Sequence, residues 1–600
     1  MPLERPALYR STRPSRAALW LIGCICILLL ASPAHALEPD PQPTLEVELV
    51  APEALRAALE ANLDIVRWSR RGGLTSGQME QLFSTARKQV REIAATEGYF
   101  DARVEASLRR NGESRIARLE VTLGEPVLVQ GVELSFTGPL RKDPQADVRM
   151  DRARRAFGFV PGERFRQVEW DAGKARALRS IARTRYGTAT LASSEARIDP
   201  ERRTAHLKVV IDSGPPVTMG APRISGLQRY DERLVRNLNP IPPGADYDED
   251  ELLKYQRRLL ASGYFGSAIV ASSPSRDAPA DTPILVSLVE SESRRIEMGV
   301  GYSTDRGARA QASYRDNNLF DKAWRLNTRI AVDRLVQELN AGIAFPRLPS
   351  GIHYGIETEL RAEDIQGQDI LNWSLTGGRQ FLTEEYESSL SLQFLSERSR
   401  LDDGPEDNRS ALFLNQRWLW NTLNDPINPR RGYTFQFQAG GALQGVLSTQ
   451  TFARLHTRAN YLYPFNRNWT LALRAEAGAV LAESRDNIPS AYVFRTGGDA
   501  SIRGYAYESL GVQEADAVVG GRYLLVGSVE LMRWLNRQWG IGAFVDGGNA
   551  WDELSDFEAV YGYGAGVRWR SPLGNLSLDL AHGEATDEWR VHFSAGLVLR

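Results

Sequence analysis

The sequence predicts a row of three small α+β modules followed by an all-β, 16-stranded transmembrane β-barrel. Three observations lead to this fold class. A segment of helix followed by hairpin recurs with a period of roughly 80 residues in the first half of the chain. About sixteen runs of alternating polarity then fill the second half, and a stretch typical of an export signal opens the chain.

Residues 1–36 have the features of a secretory signal peptide. Arginines precede a short apolar run, 17–31, which is followed by "ASPAHA", a cleavage pattern whose last residue is Ala36. A membrane anchor is the alternative, but the run is only 15 residues long, whereas a helix needs about 20 apolar residues to span a bilayer. We therefore expect the segment to be removed on export.

Both cysteines, Cys24 and Cys26, lie within the predicted signal. The exported chain would therefore have no disulfide, no thiol nucleophile and no cysteine metal ligand. Loss of four arginines and one glutamate with the signal takes the formal net charge from −2 to −5. This charge gives no indication of a basic patch for nucleic acid.

The three predicted modules comprise residues 37–125, 126–215 and 216–292. In the first module, Thr75 and Gln78 have the spacing of a capping box, apolar residues follow at helical spacing, and Gly98 ends the helix. Alternating runs after the helix predict a hairpin. The second and third segments repeat the same order of helix and hairpin.

Residues 293–600 predict the barrel. In the final run, "WRVHFSAGLVLR", Trp589, Val591 and Phe593 share one face while Arg590 and His592 share the other. One apolar and one polar face would suit either a soluble sandwich or a transmembrane barrel. The even number of runs, their aromatic-rich ends and the export signal favour the barrel. Half of each strand then faces a polar lumen, so the mean hydropathy of −0.35 is no objection.

The sequence offers little for catalysis. It contains no G-x-S-x-G, no H-E-x-x-H and no Walker loop. The histidines outside the signal are scattered without the spacing of metal ligands: His206, His353, His456, His582 and His592. We therefore predict that the protein is not an enzyme and needs no cofactor or metal. "GYGAG", 562–566, is interpreted as a strand with one bare face, and glycine in a strand often marks the close approach of another backbone.

The loop "GGDASIRGYAYESLG", 497–511, lies between two alternating runs and places Arg503 among aromatic and aliphatic residues. We predict that this loop folds into the barrel lumen and rests on a bare glycine face. An arginine buried there needs a carboxylate, because an unpaired buried charge is costly. Asp546 and Glu530 on neighbouring runs are the candidates. The alternative is that Arg503 is an ordinary charge on an extracellular loop.

Four stretches resemble conserved motifs of the outer-membrane assembly-factor superfamily of BamA and TamA. They are "NDPINPRRGYTF", "FRTGGDASIRGYAYESLG", "AFVDGGNAW" and "GAGVRWRSPLGNLSLDLA". The resemblance implies that Arg503, Gly504 and Tyr505 form the tip of the family's sixth loop, that Asp546 pairs with the arginine, and that Glu530 is the acidic residue of the preceding strand. It also implies that the three repeats are POTRA domains in the periplasm, attached to a barrel in the bacterial outer membrane.

Three modules with a barrel of this length indicate the TamA branch of the superfamily. That branch implies a TamB-like inner-membrane-anchored partner, and clients that are autotransporters and other β-barrel outer-membrane proteins. It implies contact with outer-membrane lipid and none with nucleic acid. One departure is the ending "LVLR", since many outer-membrane proteins end in an aromatic residue that helps their recognition; Phe593 is the candidate for that role here.

We therefore expect the outer-membrane component of a translocation and assembly module, which assists the insertion or translocation of client proteins. A two-partner-secretion-type transporter for one dedicated substrate is the alternative. Such relatives usually carry two modules and a plug helix, for which "LEPDPQPTLEVELV" leaves little room. A passive porin would not need the modules, and an enzyme with a barrel anchor would need catalytic motifs.

Lateral release of a client from a closed barrel requires a seam, and the first and last strands are the natural place for it. Gly299 and Gly301 share one face of the first strand, and Ala595 and Gly596 lie toward the end of the last. Glycine within a strand loses side-chain packing, so both sides of the seam are expected to be weak. The alternative is that these glycines only make room for the folded-in loop.

Overall fold

The computed structural model describes residues 44–599, apart from residues 72, 112–113, 384, 402–403, 426 and 572–573. The predicted signal peptide lies outside the described residues. The chain divides into two compact units. One comprises the described residues up to Ala182 together with Ala189–Gly214, and the other comprises Arg183–Thr188 and the residues from Pro215 onward.

The first unit begins with a three-stranded sheet of order β1-β3-β2, in which β1 runs parallel to β3. Its strands are β1 (Leu45–Val50), β2 (Arg103–Asn111) and β3 (Ser114–Thr122), and its helices are α1 (Glu53–Asn62), α2 (Asp64–Ser69) and α3 (Ser76–Thr96). The predicted capping box is confirmed: the Thr75 backbone N–H donates to Gln78 Oε1 at 2.8 Å, and Gln78 N–H donates to Thr75 Oγ1. The predicted helix and hairpin are present, whereas β1, α1 and α2 are additions.

The remaining residues of the first unit form a second sheet of order β4-β6-β5. Its strands are β4 (Leu128–Thr137), β5 (Thr190–Asp199) and β6 (Thr204–Asp212), and its helices are a short 3₁₀ turn (Pro139–Lys142), α4 (Ala146–Phe157) and α5 (Gln167–Ala182). Between the two sheets, Glu97 accepts hydrogen bonds from Arg166, with Nε at 2.8 Å from Oε2. The Arg164 guanidinium donates to the Tyr99 hydroxyl at 2.7 Å. The two sheets of this unit are therefore joined by charged contacts.

The second unit begins with a third sheet of the same design, order β7-β9-β8, again with its first strand parallel to the central one. Its strands are β7 (Met219–Ser225), β8 (Phe265–Ser272) and β9 (Thr282–Glu290), and its helices are α6 (Glu232–Asn237) and α7 (Glu249–Ala261). Leu252, Tyr255 and Leu259 recur at helical spacing on α7 and are buried against the sheet. The hydrophobic spacing alone thus fixes which face of this helix packs inward.

The rest of the second unit is a closed antiparallel barrel, in which the described residues form sixteen neighbouring strands. The predicted fold class is therefore confirmed. In chain order the strands are β10 (Arg294–Ser303), β11 (Gly307–Leu319), β12 (Trp324–Val332), β13 (Val336–Ala344), β14 (Ile352–Ile365), β15 (Gln368–Leu382), β16 (Tyr386–Leu401), β17 (Glu406–Asn421), β18 (Gly432–Ala442), β19 (Phe452–Pro464), β20 (Trp469–Leu481), β21 (Val512–Glu514), β22 (Ala517–Val519), β23 (Tyr523–Trp534), β24 (Trp539–Trp551), β25 (Val560–Ser571), β26 (Gly574–Gly583) and β27 (Glu588–Leu599). Of the described strands from β10 onward, only β21 and β22 lie outside the wall, where they pair with each other.

Alternation of side chains separates an outer apolar surface from an inner polar one. On β14, Tyr354, Ile356 and Leu360 are exposed on the outer face, whereas Glu357 and Glu359 have the opposite parity and face the lumen. An apolar outer band with a polar interior is the pattern of a barrel in the outer membrane. No helix in the described part of the chain is both long enough and apolar enough to cross a membrane.

Candidate functional site: a loop docked inside the barrel

The connection between β20 and β23 is the longest in the described part of the barrel, and it folds into the lumen. It carries a 3₁₀ turn (Ser490–Tyr492) and the small β21–β22 hairpin. Its tip is buried: Ile502, Arg503 and Tyr505 are 0%, 4% and 2% exposed. We call residues 497–511 the lock loop.

Arg503 of the lock loop binds Asp546 on β24 in a bidentate geometry. Its Nε donates to Asp546 Oδ2 at 2.7 Å and its Nη2 donates to Oδ1 at 2.9 Å. The backbone N–H of Arg503 donates to the same Oδ2 at 3.1 Å. The guanidinium carbon also lies 3.3 Å from the centre of the Phe544 ring. Asp546 is fully buried, so this carboxylate obtains its hydrogen bonds from inside the barrel.

Glu530, the second predicted partner, completes the environment of the arginine from β23. Arg503 Nη1 donates to Glu530 Oε2 at 2.9 Å. The same Nη1 also donates to Asp579 Oδ2 on β26 at 3.2 Å. The structure thus brings together Arg503, Asp546 and Glu530, and adds an acidic residue that sequence reasoning missed.

Two further arginines, also missed from the sequence, balance these carboxylates. Arg568 on β25 bridges Glu530 and Asp579, with Nε 2.7 Å from Glu530 Oε1 and Nη1 2.5 Å from Asp579 Oδ1. Arg474 on β20 has its Nη2 3.7 Å from Asp546 Oδ1 and donates to the backbone carbonyls of the lock loop at residues 500 and 501. The set of three arginines and three carboxylates is electrically balanced; we call these six residues the lock cluster. Charge-assisted hydrogen bonds of this kind are the strong ones.

Bare glycine faces receive the loop, as the sequence analysis expects. A Cβ on Gly562 of β25 would overlap the Arg503 carbonyl oxygen. Gly504 has a φ of +99°, and a Cβ there would lie 2.7 Å from the backbone nitrogen of Gly583. Both positions therefore exclude a side chain, one because the loop backbone rests on the strand and the other because of its own conformation and neighbours. Beside them the Tyr505 hydroxyl donates to the Tyr561 carbonyl at 3.0 Å.

A histidine on the last strand ties the lock loop to the first hairpin of the barrel. The Gly504 backbone N–H donates to His592 Nε2 at 2.9 Å, which requires an unprotonated Nε2. His592 Nδ1 lies 3.2 Å from Asp305 Oδ1, in the β10–β11 turn. Asp305 Oδ2 accepts from the Asp499 backbone N–H at 2.7 Å. A polar residue on the inward face of the "WRVHFS" run was the only sequence signal for this contact.

The predicted seam residues meet where β10 pairs with β27. Gly301 lies opposite Gly596, Tyr302 opposite Ala595, and Gly299 opposite Val598. β27 changes partner along its length: Ser594–Leu599 pair with β10, whereas the ladder with β26 ends at Phe593. In the described ladders, each half of this strand is therefore held by hydrogen bonds on one side only.

A cavity of about 460 Å³ lies behind the seam. Gly299, Gly301 and Ala595 line it from the barrel wall, and Asp499 and Tyr507 line it from the lock loop. The seam glycines therefore border open space as well as the loop.

Comparison with known proteins places this architecture in a family. A family model described as the Omp85 superfamily domain matches residues 292–598, which is the barrel. The outer membrane protein assembly factor BamA of Neisseria meningitidis is 22% identical over 577 residues, covering 84% of this chain and 70% of the relative. BamA of Nitratidesulfovibrio vulgaris is 22% identical over 66% of this chain and 52% of the relative. The chain thus spans about half to 70% of the length of these relatives.

A solved structure supports the same fold. The crystal structure of BamA from Haemophilus ducreyi lacking POTRA domains 1–3 superposes with a TM-score of 0.62 at 18% identity, over 79% of this chain and all of that one. CdiB from Acinetobacter baumannii gives a TM-score of 0.44 at 13% identity. The curated relatives named here are BamA proteins, and the TamA branch implied by the number of modules belongs to the proposal below.

Proposed function

The chain belongs to the Omp85 superfamily, and from this premise we propose that it assists the insertion or translocation of other proteins at the outer membrane. It is an outer-membrane protein with its N-terminal modules in the periplasm. The finer assignment, to the TamA branch with autotransporters and other β-barrel proteins as clients, is part of the proposal. The domain limits 37–125, 126–215 and 216–292 are proposed for the three POTRA modules.

One observation carries the proposal: the end of the last strand pairs with the first strand but not with its other neighbour. Six residue pairs, Met298–Ser303 with Leu599–Ser594, close the barrel at this place. Adjacent strands elsewhere in the wall pair over up to fifteen residues, as β15 and β16 do. Among the described ladders of the wall, only the one between β26 and β27 is as short. Opening the barrel between β10 and β27 therefore breaks few backbone hydrogen bonds, and an opened strand edge offers unpaired N–H and C=O groups to an incoming strand.

The lock loop supports this function from inside the barrel. It contacts the last strand through His592, the first hairpin through Asp305, and the wall through the lock cluster. A change in the docking of the loop therefore acts on both sides of the seam. We propose that Arg503, Gly504, Tyr505, Asp546 and Glu530 hold the loop docked, and that Gly299, Gly301, Ala595 and Gly596 form the lateral seam.

The modules provide places where an extended client could bind. In the first sheet, β2 is an edge strand, since the order is β1-β3-β2. Addition of a strand to such an edge gives affinity through backbone hydrogen bonds with loose sequence demands, which suits a helper with many clients. We propose that the first module also meets a TamB-like partner anchored in the inner membrane.

The proposal is tested by comparing the outer-membrane proteome of cells with and without this protein. We expect several β-barrel and autotransporter clients to be depleted together. Depletion of a single secreted polypeptide, with all barrel proteins at normal levels, would instead establish the transporter for a dedicated substrate. An unchanged proteome and secretome would refute both.

The seam is tested with a disulfide, since the exported chain is expected to contain no other cysteine. Tyr302→Cys with Ala595→Cys places two thiols opposite each other across β10 and β27. Tyr302→Cys with Ala308→Cys places the same pair across the neighbouring β10–β11 ladder and is the control. We expect oxidation to abolish client assembly in the first variant only, and reduction to restore it. Full activity with the seam crosslinked would contradict lateral opening at this place.

A further inference from the structure

A cavity of about 670 Å³ lies where the helices of the third module cover one mouth of the barrel. The cover is held by hydrogen bonds, including those from the Tyr264 hydroxyl to the Ala323 carbonyl at 2.7 Å and from Asn237 Nδ2 to the Arg347 carbonyl at 3.1 Å. We call this cavity the vestibule. Its volume is within the range of about 300–1,000 Å³ that is usual for ligand sites.

Four guanidinium groups line the vestibule, together with Lys254 and the carboxylate of Glu385, and three of the four come from three different elements. Arg258 comes from the last turn of α7, Arg325 from the start of β12, and Arg347 from the turn between β13 and β14. The hydrogen bonds of the last two are to backbone carbonyls: Arg325 Nη1 donates to Ser262 at 2.9 Å, and Arg347 Nη1 to Leu382 at 3.4 Å. Arg325 also lies over the ring of Tyr264, 5.6 Å from its centre. In the described part of the chain, none of the three forms an ion pair with a carboxylate.

The three cations act on one another. Burial lowers the pKa of the Arg347 guanidinium, and the neighbouring Arg258 and Arg325 lower it further. Arg325 Nε is also buried without a hydrogen-bond partner in the described residues. Grouping unpaired cations in this way costs free energy, and an anion in the cavity would remove that cost. The lock cluster, by contrast, has its own carboxylates and needs no further anion.

The vestibule also has an apolar side. Leu234 and Leu238 of the third module and Leu382 at the end of β15 are among its lining residues. A ligand that fits therefore combines negative charge with apolar groups.

A ligand with negative charge and apolar groups could be a membrane lipid or a polypeptide, and the two differ in how they could reach the vestibule. The vestibule is lined by His353 and Gln380, which lie on the lumen faces of β14 and β15, opposite in parity to the lipid-facing Tyr354 and Ile356. A membrane lipid would have to leave the bilayer and enter the barrel to reach it. An extended polypeptide can enter from the periplasm directly.

We infer that the vestibule is a binding site for an acidic polypeptide segment with interspersed apolar residues, held by Arg258, Arg325 and Arg347 through its carboxylates. The inference rests on the proposed function, because it takes a client polypeptide as the ligand. It assigns the junction of the third module and the barrel a receiving role, separate from that of the seam.

The test measures peptide binding to the purified full-length protein in a nonionic detergent. The probe is a short fluorescein-labelled peptide that alternates glutamate with leucine, and the matched probe has glutamine in place of glutamate. We expect the glutamate peptide to bind with an affinity that falls as salt rises, and the glutamine peptide to bind at least tenfold more weakly. Equal binding of the two peptides would overturn the inference.

Variants locate the site. Arg325→Gln and Arg347→Gln should each weaken binding roughly tenfold to a hundredfold, the usual range for a lost charged hydrogen bond. Arg537→Gln is the control, since Arg537 is an exposed arginine in the β23–β24 turn and does not line the vestibule. Arg347→Lys keeps the charge and should retain most of the affinity. Binding that is the same in Arg347→Gln and Arg537→Gln would refute the site.

Competition with lipid micelles tests whether the ligand is a lipid, and client assembly in cells tests the proposed function independently of the vestibule. If micelles of phosphatidylglycerol displace the peptide at concentrations where zwitterionic micelles do not, and bind more tightly than the peptide, an anionic lipid is the ligand and the inference is wrong. Absence of peptide binding together with normal client assembly in cells overturns the vestibule and leaves the proposed function intact. Loss of the proposed function would be seen in the proteome comparison, which does not depend on the peptide.

Discussion

Removal of the Arg503 side chain should undock the lock loop without unfolding the barrel. Arg503→Met removes three charged hydrogen bonds of 2.7 to 2.9 Å to Asp546 and Glu530 and a longer one to Asp579. It also leaves the lock cluster with one uncompensated negative charge. Loss of one partner from a buried ion pair costs about 3–5 kcal/mol. The barrel wall is held by its own hydrogen-bonded ladders, so the cost falls on the docking of the loop.

Labelling of a single cysteine measures the docking equilibrium. Ser501→Cys places a thiol in the lock loop, and its rate of reaction with a maleimide follows the undocked fraction. A cost of about 3–5 kcal/mol corresponds to roughly a hundredfold to several thousandfold more undocked loop. Arg334→Met, at an exposed position in the β12–β13 turn, is the control and should leave the rate unchanged. A rate increase below threefold for Arg503→Met would show that the arginine does not hold the loop.

A double-mutant cycle then tests whether Asp546 is the partner. Asp546→Asn alone should also raise the labelling rate, because Arg503 loses its bidentate acceptor. For residues in direct contact, the double variant should differ from the sum of the single ones by about 0.5–3 kcal/mol. Simple additivity would refute the pairing even if both single variants loosen the loop.

Three further predictions concern other parts of the chain. Gly562→Ala should displace the lock loop, because the new Cβ overlaps the Arg503 carbonyl oxygen that rests on the strand. Gly527→Ala is the control, since its Cβ meets open space, and it should leave the loop docked. Maleimide labelling of the loop distinguishes the two variants. Deletion of residues 45–125 should abolish crosslinking to the TamB-like inner-membrane partner that we propose, while the barrel still inserts. Retained crosslinking would count against the first module as the contact. Burial raises the pKa of the Glu290 carboxyl. Hydrogen bonds from the backbone N–H groups of residues 228–230 and from the Arg229 side chain lower it by more, so the pKa lies below its usual 4.5. The third module should therefore keep this stabilisation above pH 4.5 and lose it as the pH falls through the lowered pKa, and hydrogen exchange of the module amides should show no such step in Glu290→Gln.

The barrel could be predicted from the sequence because its signal is local. Period-two alternation appears within each run, and β10 in the structure has the limits of the run "RRIEMGVGYS". The first strand of each module was missed because it pairs in parallel with a strand that follows an intervening helix. Alternation between neighbouring runs indicates hairpins, and gives no sign of such a pairing. Leu55 and Leu59, which are buried and four residues apart, are the helical signal for α1.

The lock cluster was predictable only in part, because some of its residues lie on strands that are far from the loop in the chain order. Asp546 and Glu530 lie on the two strands that follow the loop, so the order of the chain places them near Arg503. Asp579 and His592 come from strands that reach the loop only through the curvature and closure of the barrel. Their contacts depend on the relative register of many strands, which one sequence does not provide. A polar or charged residue on the inward face of a strand is the usable sign, as Asp579 in "LSLDLA" and His592 in "RVHFS" show.

Replacing the Arg503–Asp546 ion pair by apolar residues can show whether its charges stabilise the docked loop or serve client assembly. A buried salt bridge is weak evidence for stability, since apolar replacements of similar volume are often neutral or stabilising by about 1–4 kcal/mol. Arg503→Met with Asp546→Leu removes one cation and one anion, and leaves two arginines and two carboxylates in the lock cluster. We therefore expect the loop of this double variant to stay docked, with maleimide labelling of Ser501→Cys close to that of the parent. If the loop must undock for a client to be assembled, client assembly should fall even though the docked state is intact. Normal client assembly with a docked apolar lock would show instead that the loop is a fixed plug and that its charges serve only to place it.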